Sequence, residues 1–135
     1  MILTKVIHDL LVGDATLTTL INTYEGSPAV FTIDPAPPNA ELPYIIAASV
    51  PVNNPFDTKT TLGRTIWRDI RIYDDNREGY TSRVDEISER VRTLLHRQPL
   101  TIPGYSWIMT DCMGPITADE NMTYGRIITA KITVE

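Results

Sequence analysis

The strongest constraint on what this chain can fold into is the two-residue rhythm of its last segment. Met122, Tyr124, Ile128, Ala130, Ile132 and Val134 share one parity, and Thr123, Ile127, Thr129, Lys131 and Thr133 the other. Arg126 and Ile127 are the exceptions to an apolar–polar split. Successive side chains of a strand point to opposite faces, so the pattern describes an antiparallel strand with one buried and one wet side. Such a strand needs a cover for its apolar face. Arg77–Arg97 supplies a candidate, since Tyr80, Val84, Ile87, Val91, Leu94 and Leu95 fall on one stripe of a 3.6-residue helix. Asp75 and Glu78 have the spacing of a capping box, and Pro99 closes the helix. Glu86 with Arg90 and Glu89 with Arg92 offer pairs on the wet face.

The other elements follow from the same reasoning. Ile2, Leu3, Val6, Ile7, Leu10 and Leu11 make an N-terminal helical stripe that Gly13 stops. Asp14 reads as the N-cap of a second short helix that buries Leu17, Leu20 and Ile21. Ala29–Ile33 is a short strand, and Pro35, Pro37, Pro38 and Pro43 stiffen the connector after it. Tyr44–Val50 is a β-rich apolar run, Asn53–Leu62 a polar loop, and Arg64–Tyr73 a long strand. On that strand Ile66, Ile70 and Ile72 share the core face with Arg68, while Trp67, Asp69, Arg71 and Tyr73 share the other. Leu100–Cys112 is a strand pair, or one strand bent at Pro103-Gly104, and Gly114–Asn121 an exposed acidic loop. The order predicts one α+β domain over residues 1–135: a mostly antiparallel β-sheet with N-terminal helices and one long amphipathic helix packed on one face.

Chemistry is hard to find in this sequence. Phosphate-loop, dinucleotide, zincin, nucleophile-elbow and CxxC motifs are all missing. The single cysteine, Cys112, excludes an internal disulfide, and His8 and His96 are too few for a zinc site. Asp74-Asp75-Asn76 suggests a divalent metal only until the alternation of strand side chains is considered; it reads as a solvated strand end leading into a helix cap. His8 lies at the margin of its stripe, His96 suits the dipole at a helix C-terminus, and Cys112 reads as a buried inert thiol. The formal net charge of −5 argues against a broad phosphate-binding surface. A mean hydropathy of −0.10 and an N-terminus without an h-region predict a soluble protein of a reducing cytoplasm. The expectation is therefore no enzyme, no cofactor and no membrane. What remains is interaction: Trp67, Arg68 and Arg71 are residue types enriched at interface hot spots, and the two long loops are candidates for contacts.

Three stretches carry a resemblance to a known family: D-A-x-L-T-x-L-I at Asp14–Ile21, E-L-P-Y-I-I at Glu41–Ile46 and D-T-K-T-x-x-G at Asp57–Gly63. With the order of elements, they make the chain similar to the tail completion, or tail terminator, proteins of long-tailed phages, prophages and gene transfer agents. The resemblance implies a virion structural protein without enzymatic activity, assembled in the host cytoplasm. Six copies would form a ring that caps the head-proximal end of the tail tube, ends its polymerisation and receives the head–neck connector. The implied partners are self, tail tube protein and connector protein, with DNA passing through the ring without sequence-specific binding. By the same analogy Asp57, Thr58 and Lys59, with Trp67, Arg68 and Arg71, become candidates for ring or tube contacts. The alternatives are another neck component, such as a head-closure or connector subunit, and a host ligand-binding or regulatory domain with a pocket near Tyr44, Trp67 and Tyr73. A hydrolase using Asp74, Asp75 and His8 or His96 is the remaining catalytic option.

Overall fold

A computed structural model describes residues 3–33, 35–47, 52–57, 62–75, 81–119 and 123–135; for 52–57 and 62 it describes the course of the backbone. The chain runs α1 (Leu3–Val12), α2 (Ala15–Thr18), β1 (Thr23–Tyr24), β2 (Ser27–Pro28), β3 (Val30–Phe31) and β4 (Tyr44–Ile46). It continues with β5 (Val52–Asp57), β6 (Leu62–Asp75), α3 (Ser82–Leu95), β7 (Trp107–Thr117) and β8 (Thr123–Val134). The fold is α+β, with strands predominating. β1 and β2 form a small hairpin, and the other strands build one six-stranded sheet in the order β3-β4-β6-β8-β7, with β5 also on β6. Among the described residues only β3 and β4 pair in parallel. β4 lies against Arg71–Tyr73 and β5 against Leu62–Trp67, so the two follow one another along the same edge of β6.

The rhythm of the last strand is realised. Ile128, Ala130, Ile132 and Val134 of β8 are buried, and their partners Ile66 and Ile70, with Ile72 two residues beyond, continue the apolar surface onto β6. α3 covers this surface with Val84, Ile87, Val91 and Leu95, and α1 adds Leu3, Ile7 and Leu11 to the same core. Burying side chains of this size is worth about 1.5–3 kcal/mol each. Gly13 follows α1, and the Asp14 carboxylate accepts the Leu17 N–H at 2.8 Å, capping α2 as the sequence leads one to expect.

Four expectations need correction. Asn53–Leu62 is not simply a loop: Val52–Asp57 is a strand, antiparallel to β6. The long helix starts at Ser82 after Thr81, whose side chain makes no cap hydrogen bond; Asp75 belongs to β6, and Glu78 and Tyr80 lie outside the described residues. Leu100–Ser106 is irregular, and the strand begins at Trp107. Gly114–Thr117 belongs to that strand and not to an acidic loop. There β7 slips its register between Met113 and Ile116, a bulge at which Gly114 takes φ +97°. A Cβ at Gly114 would lie 2.7 Å from the Ile127 carbonyl oxygen, so both the φ and the space demand glycine.

Candidate interaction surface

The charged residues nearest the core are engaged in holding α3 on the sheet. Asp74 and Arg126 extend the helix-facing stripes of β6 and β8, where an unpaired charge would be costly. Each is met by the first turns of α3. Arg83 grips Asp74 through Nε at 2.8 Å and Nη2 at 2.5 Å, and Asp85 accepts from Arg126 Nε at 3.1 Å. Asp119 adds a second carboxylate on Arg126 at 2.9 Å. Asp74, only 2% exposed, is therefore no solvated strand end, which corrects the expectation. With both its oxygens on Arg83 and one also accepting the Asp75 N–H, Asp74 is committed to structure.

The other candidates for chemistry are placed as quietly. His8 Nδ1 stands 3.2 Å from the Asp9 carboxylate on the exposed side of α1. His96 caps α3, and its Nδ1 accepts the Cys112 N–H at 3.0 Å, tying the end of the helix to β7. Burial pushes the Cys112 thiol up to about 11, so at neutral pH it is not a thiolate nucleophile. Arg90 reaches across to Asp14 with bonds of 2.8 and 2.7 Å rather than pairing with Glu86 on its own helix. Among the described residues no three His, Cys, Asp or Glu side chains are grouped to hold a metal ion.

A polar cleft of about 880 Å³ opens between the loops, lined by Asn22, Glu41, Pro43, Asp74, Asp75 and Arg83 among others. It is not the pocket expected near Tyr44, Trp67 and Tyr73. Tyr44 and Tyr73 end a chain of ring contacts that starts at Tyr24 and passes through Phe31, with centroids 5.4 to 5.8 Å apart. Trp67, six residues from Tyr73 along β6 and so about 20 Å away, lies under Lys131 at 5.4 Å instead.

The six contact candidates fall into three groups. Asp57 ends β5 opposite Leu62, while Thr58 and Lys59 lie outside the described residues. Trp67 and Arg71 are on the helix-free face of the sheet, beside Asp69, which accepts from Thr129 at 2.8 Å. Arg68 is on the opposite, helix-facing side, level with Ala130 and Cys112. Its Nε is buried without a hydrogen-bond partner, and desolvation pulls the guanidinium below its ordinary value. The structure thus does not gather these residues into one patch.

Sequence reasoning missed a different surface. Ile108, Met109, Met113 and Ile116 are 41, 39, 45 and 58% exposed, and all belong to β7, the outermost strand of the sheet. Ile33 is the one other large apolar side chain so exposed among the described residues. The signal was present as apolar residues around Gly114-Pro115. The bulges on either side of Met109–Met113 break the period of two that would have revealed them.

A six-stranded sheet with helices on one side and exposed apolar side chains on its outermost strand defines a small α+β domain. Its fold matches a solved chain described as "Virion of native gene transfer agent (GTA) particle", with a TM-score of 0.80 at 17% identity over 98% of this chain and 94% of that one. No family model and no curated protein matches the sequence.

Proposed function

We propose that this chain is a structural protein of a phage-like virion, a tail terminator whose copies form a ring on the head-proximal end of the tail tube. The carrying observation is the likeness in fold to a gene transfer agent virion chain, which spans nearly the whole of both. The motifs at Asp14–Ile21, Glu41–Ile46 and Asp57–Gly63 support the same reading independently. In this role the ring ends tube polymerisation, offers its other face to the head–neck connector and lets DNA pass. A charge of −5 per copy suits that passage, because like charge keeps phosphates from sticking to the lumen. The engagement of Asp74, His96 and Cys112 in structural contacts supports a role in assembly over one in hydrolysis.

The test is immunogold labelling of particles that carry an epitope-tagged copy of the gene. Gold at the junction of head and tail is the expected result. Gold along the tail shaft, at the distal tip or on the capsid shell would overturn the assignment.

A further inference from the structure

The two margins of the sheet differ in what they offer a neighbour. Along β7 the backbone is already engaged: the Thr110 carbonyl accepts the Arg97 N–H at 2.7 Å, and the Cys112 N–H donates to His96 Nδ1 at 3.0 Å. No further strand can be added there, so a partner of β7 meets side chains. Met109 and Met113 alternate with the buried Thr110 and Cys112, which puts them on the helix-free face, level with Thr133 and Thr129 of β8. Ile116, opposite Ile127, extends the same exposed apolar surface. At the other margin Ile33, 60% exposed, lies two residues beyond β3.

Charge distinguishes the margins as well. The turn after α3 sets Arg97, its side chain 70% exposed, beside β7, where the Asp111 carboxylate approaches it only to 3.7 Å. A pair this long and this exposed contributes little, so the guanidinium keeps donors for a second carboxylate. At the other margin the β1–β2 hairpin lies against β3 through the rings of Tyr24 and Phe31, and its turn presents the exposed Glu25. Glu41 stands at the base of the hairpin, accepting from Asn22 Nδ2 at 3.3 Å. Glu25 and Arg97 are also the two non-glycine residues at positive φ among the described residues, +50° and +56°. Side chains of their kind are uncommon in that region and are held there at a backbone cost, a mark of functional segments. A second β7 margin would answer Arg97 with another basic turn. A hairpin margin answers it with Glu25 and adds an apolar side chain, Ile33. Such a contact joins two different patches, as a closed ring requires.

We infer that the β7 margin of one copy packs through side chains on the β1–β2 hairpin and Ile33 of the next, covering Met113 and pairing Arg97 with Glu25. The closure of such contacts into a ring rests on the reading above; the match of unlike margins does not. The experiment is photo-cross-linking of the purified full chain carrying a benzophenone amino acid at position 113, with light and heavy isotope-labelled copies mixed so that links between copies can be told from links within one. Within one copy β7 and β3 are four strand spacings apart, about 19 Å, which is beyond the reach of the probe.

The expected product joins position 113 to residues 23–33 of another copy. Links from β7 to β7 would show a twofold dimer and overturn the inference. Links to the helices, or a protein that stays monomeric at every concentration, would overturn it too. Charge exchange, read by sedimentation, is the second measurement. Glu25→Arg and Arg97→Glu are each expected to weaken association about tenfold without moving the unfolding midpoint, and the double variant to regain most of the loss. A double variant no better than either single one would overturn the pairing. Glu86→Lys, on the exposed side of α3, leaves association unchanged. Should gene deletion leave particles intact while the links form, the ring reading fails and the contact stands. Overlong tails with links elsewhere would mean the reverse.

Discussion

Asp14 acts on two helices at once. Its carboxylate caps α2 through the Leu17 N–H and holds Arg90 of α3 by a two-point contact, so one side chain fixes the N-terminal layer onto the long helix. Asp14→Ala should cost about 1 kcal/mol from the lost cap alone, read as a lower unfolding midpoint. The hydrogen bonds from Arg90, with help from the Leu17 N–H, hold the Asp14 carboxyl below its ordinary value of 3.8. As pH falls below that value the unfolded chain takes up the proton first, so stability present above it drains away. The gap between wild type and Asp14→Ala is expected to close under acid titration below pH 3.8; a gap independent of pH would contradict the assignment. Arg68 predicts the opposite sign. Its unpartnered, buried Nε carries a desolvation cost of about 1–3 kcal/mol, so Arg68→Met should leave thermal stability unchanged or raise it. A drop of several degrees would show a stabilising partner for this guanidinium.

At the scale of elements, α1, α3 and β8 were legible in the sequence because their burial is one-sided and periodic. Leu3, Ile7 and Leu11, and Val84, Ile87, Val91 and Leu95, sit where the 3.6-residue stripe puts them. β5 was not legible, because Asn53, Asn54 and Pro55 are poor strand formers. Pairing with Leu62–Trp67 of β6 makes them a strand, and that is a tertiary cause. β7 was half legible for another reason: each bulge shifts the parity, so a continuous strand reads as a strand followed by a loop. The start of α3 was misplaced because an ion pair, Arg83 on Asp74, holds that end where a local cap was expected. The contact candidates Asp57, Trp67, Arg68 and Arg71 could be found by residue type, but the faces that separate them and the apolar edge of β7 depend on pairing. Gly125 gives a direct test of how closely the strands and their turn approach. A Cβ there would stand 2.3 Å from the Ala118 carbonyl oxygen, and the Gly125 N–H donates to Asp119 at 3.0 Å. Gly125→Ala should therefore destabilise by about 1–3 kcal/mol in chemical denaturation; an unchanged midpoint would refute the close approach.

At the scale of the whole molecule, the arrangement is a sheet with helices packed on one face, and the turn after α3 bonded to the outer strand through Arg97 and His96. Asp74 and Arg126 are engaged in holding α3 down, and four of the five exposed large apolar side chains among the described residues lie on β7. That distribution suits a part that is completed by neighbours. The central claim is that the part is a terminator of tail tubes, and negative-stain microscopy of particles made without this gene tests it most directly. The account predicts filled heads alongside free tails of uncontrolled, excessive length. Tails of normal length that fail to join heads would move the protein to another place in the neck, and intact infectious particles would contradict the virion role altogether.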